Sequence, residues 1–315
     1  VLPPDPSTVR YPGPWTHRDV SANGILLHVA EAGEGEPVLL LHGFAGLWWT
    51  WHHQLRDLAD AGFRVVAVDL RGYGDSDKPP RGYDAWTAAG DVAGLIRALG
   101  LRSAHVVGHS WGGLLAWSAA AIRPRVVRSV GVLGGAHPLA LRHAAATLPV
   151  GRRGAQARAS RHVLRFQVPM APEKRLVADD AAYTGELLAS WAGEAWRGTD
   201  DFAETTATLR HAMRIPGVAH SALEYYRWAV RSQFRSDGRR FRRDVDTRVT
   251  MPVLQLHGED DPCILPATAR DSTPWRGPHS EFVTLPAVGH FPHLEAPGET
   301  SAILATFLRG VRSDG

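Results

Sequence analysis

The segment of this chain best suited to covalent chemistry is Gly108-His109-Ser110-Trp111-Gly112-Gly113. An apolar run, Ala104–Val107, precedes it and a helix-like run, Leu114–Ile122, follows. A Gly-x-Ser-x-Gly elbow needs this strand–turn–helix setting to expose a serine hydroxyl on a strained corner. Small residues at 108 and 112 let the chain turn sharply. The Trp111 N–H, at the start of the helix, is predicted to point at a developing oxyanion. The plainer reading is a glycine-rich helix entry with an ordinary N-cap serine. A serine hydroxyl is a poor nucleophile until a base takes its proton, so a histidine and an orienting acid are expected elsewhere. For this elbow they follow in the chain order serine, acid, histidine.

Sixteen histidines are available, and His290 stands out among them. It sits in Val288-Gly289-His290-Phe291-Pro292 after the apolar run Phe282–Leu285, a loop at a strand end where a base can be held over a nucleophile. His293 is the rival. The acid should end the preceding strand, and Pro252–Leu256 leads into His257-Gly258-Glu259-Asp260-Asp261-Pro262. That loop offers three carboxylates, and pattern alone does not choose among them. The other strand end, Gly134-Gly135-Ala136-His137, carries no acid. A second oxyanion donor is expected after the strand Pro37–Leu41, where Leu41-His42-Gly43-Phe44 would present the Phe44 N–H. Trp48, Trp49 and Trp51 follow closely. Some must be core, and one or two, Trp48 first, are expected to wall an apolar substrate pocket.

These residues need a scaffold. Pro37–Leu41, Arg64–Leu70, Ala104–Val107 and Val126–Leu133 read as buried strands, while Trp48–Ala61 and Trp86–Leu99 show helical spacing. The alternation implies an α/β fold with a mostly parallel sheet flanked by helices. From residue 136 to 249 no convincing strand appears, and runs such as Glu186–Ala195 and Ala219–Gln233 look helical. The rhythm then resumes with Pro252–Leu256, Phe282–Leu285 and the amphipathic Ser301–Arg309. The expected organisation is one α/β unit in two pieces, residues 1–135 and 250–315, with a helical insertion at 136–249.

Composition narrows the classes. At 315 residues, 44% hydrophobic and 21% charged, the chain is neither disordered nor fibrous. Its apolar runs fall far short of the roughly 20 residues that cross a bilayer, so no integral membrane segment is expected. The proline-rich stretch Val1–Pro14 has no apolar signal core, which makes the cytoplasm the default expectation. A single cysteine, Cys263, excludes an internal disulfide and gives no metal cluster, and no metal site is expected. The net charge is +3, with 19 Arg plus Lys against 12 Asp plus Glu between residues 138 and 250. The arginines are scattered and no nucleic-acid motif accompanies them, so a solvated helical surface is expected rather than a nucleic-acid site.

With these residues in place, the chain resembles the α/β-hydrolase family along nearly all of its length. Asp69-Leu70-Arg71-Gly72-Tyr73-Gly74-Asp75-Ser76-Asp77-Lys78-Pro79 resembles a loop common in epoxide hydrolases and their relatives. Gly258-Glu259-Asp260-Asp261-Pro262 resembles the family's Gly-x-x-Asp acid turn, which implies Asp261 as the acid. Gly289-His290 with Glu295 and Pro297 resembles the family's histidine loop, which supports His290 over His293. The insertion would then be the helical cap that roofs the site, giving an α/β-hydrolase fold with an inserted cap domain.

One departure bears on the chemistry. Epoxide hydrolases and haloalkane dehalogenases resemble this sequence but carry an aspartate where Ser110 stands. A carboxylate attacking an alkyl carbon leaves an ester that water can cleave, whereas a serine would leave an ether. Ser110 suits acyl carbons, and family members with this serine are esterases, lactonases, thioesterases, perhydrolases and C–C hydrolases. Epoxide hydrolases also use cap tyrosines. The adjacent pair Tyr225-Tyr226 faces different sides of a helix, so at most one would reach a pocket. The leading expectation is a serine hydrolase of hydrophobic carboxylic esters. Ser110, Asp261 and His290 would be catalytic, Phe44 and Trp111 would hold the oxyanion, and Trp48, Tyr225 and Tyr226 are candidate substrate contacts. No metal or organic cofactor is required. An epoxide-hydrolase-like enzyme, a C–C bond hydrolase or a perhydrolase is the alternative, replacement of an aspartate by Ser110 in an epoxide hydrolase is a further one, and a receptor using the same pocket is a remote one.

Overall fold

The alternation of apolar and amphipathic runs produces, in a computed structural model that describes residues 2–146 and 154–311, one eight-stranded sheet. Its strands are β1 (Thr16–Ala22), β2 (Ile25–Ala32), β3 (Glu36–Leu41), β4 (Phe63–Val68), β5 (Ala104–His109), β6 (Val127–Leu133), β7 (Val253–Gly258) and β8 (Glu281–Leu285). They lie in the order β1-β2-β4-β3-β5-β6-β7-β8. The β1–β2 and β2–β4 pairs are antiparallel, and every later pair is parallel.

The central strands are hydrophobic throughout because helices cover them. In β3, residues Val38 to Leu41 are all buried, and so are all six residues of β5. Each such aliphatic side chain taken out of water contributes about 1.5–3 kcal/mol. Helices α1 (His52–Asp60), α2 (Ala85–Ala98) and α3 (Trp111–Ile122) follow β3, β4 and β5 in turn. Between β6 and β7 the described residues form α4 (Pro138–Ala145), α5 (Ala155–Ala159), α6 (Arg161–Arg165), α7 (Ala171–Trp191), α8 (Glu194–Arg197), α9 (Asp200–Met213), α10 (Val218–Arg231) and α11 (Ser236–Val245), with no strand. The short α12 (Pro266–Arg270) and α13 (Pro292–Glu295) precede the closing α14 (Pro297–Gly310). The pairs α1–α14 and α2–α3 pack together, with α1, α2 and α3 lying on the sheet. Residues 1, 147–153 and 312–315, which the expected segment bounds include, lie outside the described residues.

Register decides what meets at the end of the sheet. Leu41 pairs with Gly108, His109 with Leu133, Leu133 with Leu256, and Gly258 with Leu285. The carboxyl ends of β3, β5, β6, β7 and β8 are therefore level, and the loops that follow them emerge side by side.

All six expected strands are present. The hairpin β1–β2 was not among them, although its turn, Asn23-Gly24, has both residues at positive φ (49° and 79°), as a two-residue hairpin requires. The expected helix at 186–195 is interrupted, because α7 ends at Trp191 and α8 begins at Glu194. Gly193 occupies that gap, where an added Cβ would stand 2.5 Å from a Glu295 carboxylate oxygen.

The loop after β4 is held by buried charge. Asp69 accepts from His28 Nδ1 at 2.8 Å and from the amides of Trp48 (2.8 Å) and Asp75 (3.0 Å). Two residues on, Arg71 makes a two-pronged pair with Asp91 of α2 at 2.6 and 2.7 Å, the fork geometry that suits guanidinium and carboxylate.

Candidate active site

Ser110 sits between β5 and α3 with φ 52° and ψ −109°. Positive φ is unusual for a residue with a side chain, and it is held here by close packing on both sides. A Cβ at Gly108 would lie 2.1 Å from the Gly112 carbonyl oxygen, and one at Gly112 would lie 2.2 Å from the Leu41 carbonyl oxygen. Neither contact is tolerable, so both glycines are required for β5, α3 and the end of β3 to meet. The Ser110 amide donates to the Leu133 carbonyl at 2.9 Å, tying the elbow to β6. Trp111 is the first residue of α3, so its N–H has no partner within the helix and points out of its positive end.

The loop after β3 lies against the elbow. A Cβ at Gly43 would be 3.1 Å from Ser110 Cβ, which places this loop beside the serine. His42 sets this loop: its Nδ1 donates to the Gly43 carbonyl at 2.8 Å, and its Nε2 accepts from the Leu70 amide at 3.1 Å. Burial depresses its basicity, which keeps the ring in the neutral tautomer that this pair of bonds needs.

Across the sheet, the loop after β7 brings Asp261 to the loop after β8. Asp261 Oδ2 accepts from His290 Nδ1 at 2.8 Å. Oδ1 accepts from the amides of Cys263 and Ile264 at 2.8 and 3.0 Å. A second imidazole, His257, stands with Nε2 3.1 Å from Oδ2. Burial alone would raise the Asp261 pKa, but the charge of His290 and the hydrogen bonds of both histidines outweigh it and hold the carboxyl well below its ordinary value. His290 shows the converse. Burial opposes its charge, yet the Asp261 carboxylate, with Cys263 beside it, holds the imidazole well above the usual histidine value. Glu259 and Asp260 are exposed to solvent.

His290 and Ser110 flank Gly134. A Cβ there would meet the His290 carbonyl oxygen at 2.5 Å and Nδ1 at 3.3 Å, while the preceding residue, Leu133, bonds Ser110. The His290 loop is clamped from three directions. Its amide donates to the Trp191 carbonyl at 2.9 Å, and its carbonyl accepts from His109 Nε2 at 2.8 Å. Glu295 accepts from the amides of Gly289 (2.7 Å), Phe291 (2.9 Å) and Gly193 (2.9 Å). The last of these bonds ties the loop to the helical insertion. His293, the rival base, has both ring nitrogens buried without a hydrogen-bond partner and packs on Trp51 and His109.

An aromatic cluster joins these parts. Phe44 packs on Phe166, Trp191 and Tyr226, and Tyr226 also touches Trp111 and His162. Trp191 reaches the His290 ring at 5.8 Å. The insertion thus lays apolar rings against both expected oxyanion donors and the histidine.

Two of the expected substrate contacts, Trp48 and Tyr225, are fully buried and hydrogen-bonded to other segments. Trp48 has no exposure, its Nε1 donates to the Val9 carbonyl, and its ring packs on Tyr11, Trp15, His17 and His28. It anchors the N-terminal segment instead. Tyr225 is equally buried, and its hydroxyl donates to the Arg71 carbonyl at 2.9 Å. Both rings touch Trp111, and of the pair only Tyr226 packs on Phe44. Three further residues went unassigned in sequence: His109, His257 and the clamp role of Glu295. His109 occupies the variable position of the Gly-x-Ser-x-Gly motif, and His257 precedes the acid by four residues, so their positions alone marked them for inspection.

The chain matches the family described as alpha/beta hydrolase fold over residues 36–297. It is 30% identical over 295 residues to the AB hydrolase superfamily protein YfhM of Bacillus subtilis, covering 92% of this chain and 96% of that protein. It is 31% identical over 325 residues to Epoxide hydrolase A of Mycobacterium tuberculosis, covering 95% and 99%. Among solved structures, an epoxide hydrolase from an endophytic Streptomyces superposes with a TM-score of 0.78 at 28% identity, covering 96% of this chain and 97% of that one. Cfl2 of Burkholderia cenocepacia gives 0.78 at 26% identity, covering 95% and 96%. Sequence match, sheet order and elbow geometry agree, and the chain belongs to the α/β-hydrolase fold family.

Proposed function

We propose that this hydrolase cleaves hydrophobic carboxylic esters, or related lactones and thioesters, through an acyl-enzyme on Ser110. The observation that carries the reading is a serine, not a carboxylate, at the strained elbow, with the Asp261–His290 pair on neighbouring strand ends. Ser110 Oγ attacks the acyl carbon and its proton passes to Nε2 of His290. Asp261 holds Nδ1 as the donor, which leaves Nε2 free to act as the base, and stabilises the imidazolium that forms. The amides of Phe44 and Trp111 receive the negative oxygen, a contribution worth roughly 10²–10³ in rate per donor. His290 then protonates the departing alkoxide. In the second half, His290 takes a proton from water, the resulting hydroxide adds to the acyl carbon, and Ser110 leaves with its proton restored. No metal or organic cofactor enters these steps.

In this reading residues 136–249 act as a cap on a core made of residues 1–135 and 250–315. The Trp191 and Gly193 bonds to the His290 loop and the rings of Phe166 and Tyr226 against Phe44 support it. The aromatic lining favours a small hydrophobic acyl substrate.

A second reading, epoxide hydrolysis, draws on the names of the relatives and on Tyr226 beside Phe44 and Trp111. Ser110 opposes it, since an alkyl ether on serine has no carbonyl for water to attack. Wild-type protein and Ser110→Ala assayed on p-nitrophenyl butyrate and on styrene oxide separate the two. The ester reading expects ester turnover that falls at least about 10³-fold in the variant, with no epoxide opening. Epoxide opening by the wild type without ester turnover would overturn it.

A further inference from the structure

His52 and His53 open α1 in the core, and Asp201 lies in the first turn of α9 in the insertion. One ligand atom from each of the three lies within 4.8 Å of the others. We propose that His52, His53 and Asp201 form a binding site for a zinc-type divalent transition metal that clips the helical insertion to the core.

The donor set suits such an ion. Two imidazoles and a carboxylate are the borderline ligands that zinc and its late first-row neighbours take. Both rings are set up to ligate. His52 Nδ1 donates to the Trp49 carbonyl at 2.9 Å, and the ring stacks on Trp49 at 4.1 Å. This second-shell carbonyl bond fixes the tautomer and leaves Nε2 with its lone pair free. His53 Nε2 is buried without a hydrogen-bond partner, 3.5 Å from Asp201 Oδ1. That separation is too long for a strong hydrogen bond, and a buried ring nitrogen left so is a cost that a metal bond would remove. Asp201 is oriented as well: Oδ2 accepts from Trp196 Nε1 at 2.7 Å, which turns Oδ1 toward the histidines.

Metal bonds of about 2.0–2.1 Å put tetrahedral donors roughly 3.3 Å apart, so the three side chains would draw together on the ion from their present spacing of up to 4.8 Å. Arg56, on the same helix, is 54% exposed and pairs with Asp57 at 3.7 Å. Asp201 is 37% exposed, leaving room for water in a fourth position. The positive ends of two helices face the ion, so the Asp201 charge must supply most of the attraction.

The test uses the full chain stripped of metal by chelator. Calorimetric titration with Zn²⁺, and with Co²⁺ followed by visible absorption, should show one equivalent with the intense bands of four-coordinate cobalt. Asp201→Asn keeps the shape and the Trp196 bond, and should weaken binding at least tenfold. His53→Ala should do the same, whereas His220→Ala, at an exposed imidazole elsewhere on the insertion, should not. Zn²⁺ should raise the thermal midpoint of the wild type and not that of Asp201→Asn. Absence of saturable binding by the wild type, or binding undiminished in Asp201→Asn, would overturn the proposal.

Discussion

Asp261 and His290, 29 residues apart in the chain, meet at 2.8 Å between Oδ2 and Nδ1, and each shifts the other's titration. The contact exists because β7 and β8 are parallel neighbours whose ends are level, Gly258 against Leu285. His290 is held above its ordinary pKa, so it is more protonated at neutral pH than a free histidine. In the proposed mechanism it acts as a general base, which works only when neutral. Ester kcat/KM should therefore rise with pH along a limb whose inflection lies above 6.5. In Asp261→Asn the charge that favours imidazolium is gone and burial dominates, so the inflection should move down, and the maximal rate should fall by about 10⁴ because the tautomer is no longer held. A pH–rate profile of both proteins checks both points, and an unshifted inflection would show that Asp261 does not govern the base.

Tyr225 and Tyr226 should separate cleanly in stability. Tyr225→Phe strips the donor from the buried Arg71 carbonyl and should cost about 1–3 kcal/mol. Tyr226→Phe keeps the ring against Phe44, Trp111 and Phe166 and should stay within about 0.5 kcal/mol of the wild type. Urea unfolding of the two variants makes the comparison.

Glu295 serves the histidine without joining the chemistry. Burial raises its pKa against the pull of three backbone donors, those of Gly289, Phe291 and Gly193. Glu295→Ala leaves those amides unpaired and should cost at least about 3 kcal/mol. Glu295→Gln retains one acceptor oxygen and should cost less, while lowering kcat more than it changes KM, since the His290 loop loosens. Denaturant unfolding and steady-state kinetics on a p-nitrophenyl ester read the two effects. A variant with full stability and full kcat would remove Glu295 from this role.

How much was legible in the sequence depends on how far apart the cooperating residues lie. The elbow is contiguous: Gly108, Ser110 and Gly112 with a strand before and a helix after carry their own geometry, because only glycine fits where β5 and α3 cross the end of β3. The strand–helix rhythm was equally readable, since burial on both faces demands unbroken aliphatic runs. The hairpin β1–β2 escaped because β1 is mostly polar and exposed and the apolar run of β2 is broken by His28, although Asn23-Gly24 announced the turn.

Choices between near neighbours needed the third dimension. Glu259, Asp260 and Asp261 are chemically alike in sequence, and only the folded loop buries Asp261 against His290 while leaving the other two in water. Trp48 follows the Phe44 loop closely, yet 3₁₀ winding from Trp48 to Trp51 and the bond to Val9 turn it away under the N-terminal segment. Tyr225 and Tyr226 differ by one position and face different surroundings, one fixed to Arg71 and one among the rings of the insertion. The His52–His53–Asp201 cluster spans about half the chain, and no local pattern could announce it. Sequence alone determined what chemistry the elbow can do, because local backbone sterics are written in adjacent residues. Tertiary structure decided which acid meets His290 and how Trp48, Tyr225 and Tyr226 are packed, because burial and contact are properties of segments that meet only once the sheet has formed.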